Sequence, residues 1–270
     1  VRALEQIHRW PVRNVAAGVV TARGGTDSAG DLDREFALAS VTKPLAAYGV
    51  LVAIEEGAIE LDQPAGPPGS TVRHLLAHTS GLAFDSTAIL AEPGKRRIYS
   101  SSGFDVLADF VAAETGIAFA DYLHQAVFEP LGMKASVLAG SAGSAARSTA
   151  GDLLRFAREL LRPTLIAPET HAEAITVQFP GTSGVLPGYG SQRPNDWGLG
   201  FEIRDHKSPH WSGAANSPRT YGHFGQAGTL LWVDPVAEVA CVALADEPFG
   251  DWARAAWPPF NDAVLGEFAE

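Results

Sequence analysis

The chain has 270 residues, 46% of them hydrophobic and 19% charged, which is enough for one large core at the top of the single-domain size range. Its 20 Lys and Arg against 31 Asp and Glu give a formal charge of −11, which argues against nucleic acid and anionic membrane surfaces as partners. No run reaches the roughly 18 apolar residues of a membrane helix, and the first ten residues lack a secretory apolar core. A small-molecule substrate and a cytoplasmic location are therefore expected, and the lone Cys241, with no partner in the chain, fits a reducing compartment.

In chain order, residues 1–10 read as an amphipathic helix and 14–22 as a β-branched strand, followed by a polar turn punctuated by Gly24, Gly25 and Gly30. Val41, Leu45, Val50, Leu51 and Ile54 predict a buried helix over 40–56, closed by Gly57, with Pro44 tolerated in its first turn. Pro64, Gly66, Pro67, Pro68 and Gly69 make residues 62–70 the clearest connection and a candidate domain crossing. Helices are predicted over 71–77, 102–115, 119–127 and 149–161, the last opened by Ser148 and Thr149 as a cap.

Residues 179–219, rich in Gly, Pro, Ser and aromatics, have the composition of long loops bordering a cleft. Strands return at 230–233 and 239–244 around Asp234-Pro235, with Cys241 a small core residue of the second. Residues 251–270 read as a terminal helix interrupted by Pro258 and Pro259. Strands at both ends around a helical middle predict an α+β fold: a sheet domain from 1–62 and 205–270, with 63–204 as a helix-rich inserted subdomain.

Three short segments carry chemistry. Ser40-Val-Thr-Lys43 places a hydroxyl and an amine on one face at the start of a buried helix. A desolvated lysine can be neutral often enough to take the serine proton, and the helix start offers N–H groups to an oxyanion. The spacing alone is a weak signal, but lysine is scarce, with only Lys43, Lys95, Lys134 and Lys207 in the chain. Arg97-Ile-Tyr99-Ser-Ser101 sets a phenol at a polar turn before a helix, a proton relay on one reading and an ordinary half-buried aromatic on the other. Tyr221-Gly-His223-Phe-Gly-Gln-Ala-Gly is a glycine-rich strand entry where a ligand can approach backbone; His223 reads equally as base, substrate donor or structural residue.

In this order and spacing the three resemble the β-lactamase-like superfamily of active-site serine enzymes, in the branch of class C β-lactamases, DD-peptidases and related esterases. Ser40-Val-Thr-Lys43 is similar to the family's Ser-x-x-Lys, Tyr99-Ser-Ser101 stands where Tyr-x-Asn does, and His223-Phe224-Gly225 stands where Lys-Thr-Gly does. The stretches Leu75-Leu-Ala-His-Thr-Ser-Gly-Leu82 and Ser148-Thr-Ala-Gly-Asp-Leu-Leu also resemble family landmarks of a structural kind. The likeness spans about residues 15–245.

It implies an antiparallel sheet flanked by helices and a Ser40 acyl-enzyme. Lys43 and Tyr99 would share proton transfer, and the backbone N–H groups of Ser40 and Gln226 would form the oxyanion hole. Ser101, His223, Phe224 and Gly225 would meet substrate, and no cofactor is implied. Two departures, Ser101 for the usual Asn and Phe224 for the hydroxyl residue that receives a substrate carboxylate, point to small neutral esters ahead of lactams or D-alanyl peptides.

Rival readings are weaker. His74 and His78 have the four-residue spacing of a zinc helix but no catalytic Glu between them, and His206 and His210 flank Pro209, which reads as a solvated loop. The Gly-x-Ser-x-Gly pentapeptide of α/β-hydrolases is absent. An inert ligand-sensing module would not need Ser40, Lys43 and Tyr99 together.

Overall fold

The computed structural model describes residues 2–269; Val1 and Glu270, at the ends of the expected first and last helices, lie outside the described residues. A 3-10 helix (Ala3–Arg9) stands in place of the expected first α-helix and leads to β1 (Val15–Thr21), β2 (Thr26–Gly30) and β3 (Glu35–Ala37). A 3-10 turn (Ala39–Val41) runs directly into α1 (Thr42–Glu55). There follow α2 (Val72–Leu76), α3 (Ser101–Thr115) and α4 (Phe119–Leu123), the last widening into a π-turn (His124–Phe128). Next come β4 (Val137–Leu138), β5 (Ala146–Thr149), α5 (Ala150–Leu161) and α6 (Pro168–Ala174). The chain closes with β6 (Gly184–Leu186), β7 (Gly190–Gln192), β8 (Glu202–Ile203), β9 (Tyr221–Gly225), β10 (Thr229–Asp234), β11 (Val239–Ala245) and α7 (Asp251–Phe268).

Six strands form one antiparallel sheet in the order β2-β1-β11-β10-β9-β8, so the two ends of the chain meet at its centre, with Val15 opposite Ala245 and Thr21 opposite Val239. The two-residue period of the strands sorts their side chains onto two faces. Ala16, Val20, Leu231, Val233, Val242 and Leu244 join a core shared with α1, α3 and α5. Ala17, Val19, Leu230, Trp232, Cys241 and Ala243 face the other way, onto the N-terminal 3-10 helix and α7. Cys241 is fully buried there, and burial pushes its thiol well above the ordinary range, so it serves packing. The fold is thus α+β, an antiparallel sheet between two helical layers.

Helix α1 is buried on every side, twelve of its fourteen residues being inaccessible, as a helix apolar all round must be. It lies between sheet and helical layer and carries Lys43 inward. Helices α3 and α5 begin where their caps allow: Ser100 Oγ accepts from Gly103 N at 2.9 Å, and Thr149 Oγ1 from Asp152 N at 3.1 Å.

Several elements depart from the sequence reading. The expected polar turn at 24–30 contains β2, an edge strand with only Ala29 buried, held by backbone pairing to β1 and so without an apolar signature. The loop region 179–219 contains β6, β7 and β8. Helix α7 passes through Pro258 and Pro259 unbroken because Ala253, Trp257, Phe260, Val264 and Leu265 seat one face of it against the sheet. Helix α5, inside the expected insert, packs on β1 and β11, and β8 joins the sheet before residue 205, so the sheet's neighbours extend beyond the segments 1–62 and 205–270.

Candidate active site

Ser40 sits at the centre of the 3-10 turn that opens α1, preceded by Ala39 in the left-handed region at φ 46°. The end of β9 and the start of β10 press on this turn: Thr229 Oγ1 donates to Leu38 O at 2.8 Å, and Gly225 approaches the same carbonyl. Ser40 and Gln226, the two residues whose N–H groups the resemblance assigns to an oxyanion, line the same pocket.

Lys43, the second residue of α1 and one turn beyond Ser40, is completely buried, and loss of water pulls its amine down to about 7 against an opposing pull from Asp105. Its Nζ lies 2.7 Å from Gly143 O, 3.0 Å from Ser101 Oγ and 3.5 Å from Ser40 Oγ, and 4.5 Å from the centre of the Tyr99 ring. A neutral amine has two N–H bonds and one lone pair. Gly143 O and Ser101 Oγ are the two short acceptors, which leaves the lone pair for the Ser40 proton. Ser101 therefore meets Lys43 in this structure, a contact that the substrate-binding expectation did not include.

Tyr99 stands beside the pocket, stacked on Phe84 with ring centres 5.8 Å apart, its phenol held above the ordinary value by loss of water, with the Ser40 hydroxyl acting in the opposite direction. It is a protonated phenol at neutral pH, suited to give a proton rather than take one. Its hydroxyl is 3.2 Å from His223 Nε2. His223 Nδ1 lies 2.6 Å from Phe224 O, which only accepts, so Nδ1 carries the ring proton and Nε2 accepts from Tyr99. Burial, followed by the nearby Lys43, pushes His223 down to about 3, so this imidazole is neutral.

His78, φ 58°, lies outside α2 and braces Tyr99. Its Nδ1 accepts from Ser100 N at 3.1 Å, its ring packs 4.7 Å from Tyr99 and 4.6 Å from Trp197, and burial holds it well below the usual histidine value. His74 turns elsewhere, to Thr71 and Phe179, so these two imidazoles do not form the shared helix face of a zinc site. His210 is also unlike its sequence reading: it is buried, with Nε2 2.9 Å from Glu202 Oε1, which Lys207 also reaches at 2.9 Å. His206 alone of that pair is exposed.

The pocket holds about 230 Å³, with Ser40, Tyr99, His223 and Gln226 as its polar side and Phe84, Leu186, Pro187 and Trp197 as its apolar side. Phe224 borders it, but the ring is 3% exposed and packs behind the strand against Trp257 at 6.0 Å, Phe249 at 4.7 Å and Tyr189 at 5.8 Å. The expectation of an open apolar ring facing substrate is corrected: alternation along β9 sends residue 223 to the site and 224 to the rear core. Trp197, Phe84, Leu186 and Gly143 were not singled out from sequence. Gly143, in Gly-Ser-Ala-Gly-Ser, carried no signal beyond composition.

Fold and site geometry are of the serine β-lactamase and DD-peptidase kind. The chain belongs to the Beta-lactamase family, whose profile matches residues 8–265. A solved β-lactamase from Mycobacterium bovis is 58% identical, with a TM-score of 0.98, covering 99% of this chain and 100% of that one. Penicillin-binding protein 4* of Bacillus subtilis (strain 168) is 30% identical over 131 residues, 36% of this chain and 29% of its own length. A Salmonella heidelberg (strain SL476) protein named "Putative D-alanyl-D-alanine carboxypeptidase" is 26% identical, covering 66% of this chain and 51% of itself. The chain thus spans 29% and 51% of the length of these two curated relatives.

Proposed function

We propose that this protein hydrolyses small uncharged esters through an acyl-enzyme on Ser40. The observation that carries the substrate class is the pocket wall: four apolar residues, a neutral imidazole at His223 and no cationic side chain among those that line it. A carboxylate entering there would lose water without gaining a charged partner, at a cost of roughly 1–3 kcal/mol.

In the proposed reaction neutral Lys43 takes the Ser40 proton as Oγ attacks the ester carbonyl. The oxyanion is received by the N–H groups of Ser40 and Gln226. Tyr99 gives its proton to the leaving alkoxide and recovers one from Lys43, and water then cleaves the acyl-enzyme by the same groups in reverse.

A second reading, lactam hydrolysis, is favoured by the name of the Mycobacterium bovis structure at 58% identity. A panel of p-nitrophenyl esters, a chromogenic cephalosporin and D-alanyl peptides, run on wild type and Ser40→Ala, separates them. The ester reading expects Ser40-dependent turnover that is fastest on neutral esters. Equal signals from both proteins would leave an inert binder.

A further inference from the structure

Lys43 is held by a turn outside all three motifs, and that turn is itself held by one carboxylate. We infer that Asp105, one turn into α3, is a positioning residue for Lys43: it fixes the 141–143 turn whose Gly143 carbonyl takes one of the amine's N–H bonds. Asp105 Oδ1 accepts from Ser141 Oγ at 2.7 Å and from Ala142 N at 3.0 Å, and Ser141 Oγ accepts from Gly143 N at 3.1 Å. These bonds close the turn on itself.

The turn is also pressed against the other lysine partner. A Cβ built on Gly143 would lie 2.8 Å from Ser101 Cβ and 2.9 Å from Ser101 O, so the two residues that receive Lys43 are packed closely against each other. Ser101 and Asp105 are four residues apart on α3 and so share a face. One helix face therefore supplies one acceptor directly and anchors the second.

Asp105 acts through space as well, opposing the effect of burial on the Lys43 amine. The other titratable groups that face Lys43 are Tyr99 on the segment before α3, His78 after α2 and His223 on β9. All three are neutral at pH 7, which leaves Asp105 as the carboxylate acting on this amine.

The inference rests on Lys43 serving as the base for Ser40, and the test separates the two ideas. Ser40 is labelled with a fluorophosphonate between pH 5 and 9, and the rate is followed by intact mass, so no natural substrate is needed. Asp105→Asn keeps an oxygen for the Ala142 N–H but removes the charge, and it is expected to move the acid limb of labelling down by about one pH unit. Ser141→Ala keeps the charge but opens the turn, and it is expected to lower the plateau rate about tenfold with the limb unmoved. An Asp105→Asn protein whose melting temperature falls while its limb stays put would overturn the role of Asp105, and an unchanged plateau in Ser141→Ala would overturn that of the turn. Failure of wild type to label at Ser40, or a flat profile, would instead remove the reading of Lys43 as base.

Discussion

Gly225 lies so close to Leu38 that a Cβ on it would stand 2.3 Å from the Leu38 carbonyl oxygen, and 2.4 Å from the Thr229 hydroxyl that donates to that carbonyl. The strand and the turn that carries Ser40 are therefore set against each other by the absence of a side chain. Gly225→Ala is expected to displace the 38–40 turn, lowering kcat/KM on a neutral ester by a factor on the order of 10² and stability by about 1–3 kcal/mol. Steady-state kinetics with a urea melt checks both. Wild-type kinetics in the variant would mean that the gap closes without moving Ser40.

The Lys43 amine, pulled down to about 7 by burial, titrates in the working range. As base it must be unprotonated, so turnover is expected to rise with pH and level off above about 7, and Lys43→Ala is expected to lose a factor on the order of 10² or more. A limb unmoved from wild type in a residual-activity profile of Lys43→Ala would assign it to another group.

The same burial costs stability. Below pH 7 both folded and unfolded chains hold the lysine proton and the cost of the buried charge is full. Between 7 and the ordinary 10.5 the unfolded chain holds more protons, so stability rises with pH. Lys43→Met is thus expected to exceed wild type by about 2–4 kcal/mol at pH 6, with the margin shrinking by pH 9. Denaturant titrations at the two pH values measure it; a margin independent of pH would contradict the assignment of the proton.

Phe224 belongs to the rear core, where its ring meets Trp257, Phe249 and Tyr189. Phe224→Thr is expected to destabilise by roughly 2–4 kcal/mol through the cavity it leaves. The proposed preference for neutral over anionic esters is expected to persist, because the proposal rests on His223 and the apolar wall. A large swing toward anionic esters without loss of stability would return the ring to the substrate side.

Arg97 is 2% exposed and donates to Asn195 O at 2.9 Å, Ala77 O at 2.6 Å and Gln178 O at 2.8 Å, tying three segments around the pocket. Burial brings it down to about 10, so it stays charged at neutral pH. Arg97→Met would leave these carbonyls without donors and is expected to cost about 3–5 kcal/mol, seen as a lower urea midpoint. Loss of turnover with an unchanged midpoint would give Arg97 a more direct role.

What was legible in the sequence is what local periodicity encodes. Ser40 and Lys43 share a helix face, the cap at Thr149 precedes its helix by rule, and the apolar runs at 230–233 and 239–244 read as buried strands around Asp234-Pro235. These were enough for the α+β class, whereas the choice of Ser40 as candidate nucleophile needed the three motifs together and the resemblance they carry. The partners that tune Lys43 were not legible, because Ser101 is 58 residues away and Gly143 is 100 away, and the Gly143 contact uses a backbone oxygen that every residue possesses. The tautomer of His223 was decided by a carbonyl within reach of Nδ1, and the side to which Phe224 turns by which face of β9 the helices cover. Burial supplied the rest: the same lysine in water would be a cation near pH 10, and only its removal from solvent by α1, α3 and the 141–143 turn brings its amine down to about 7.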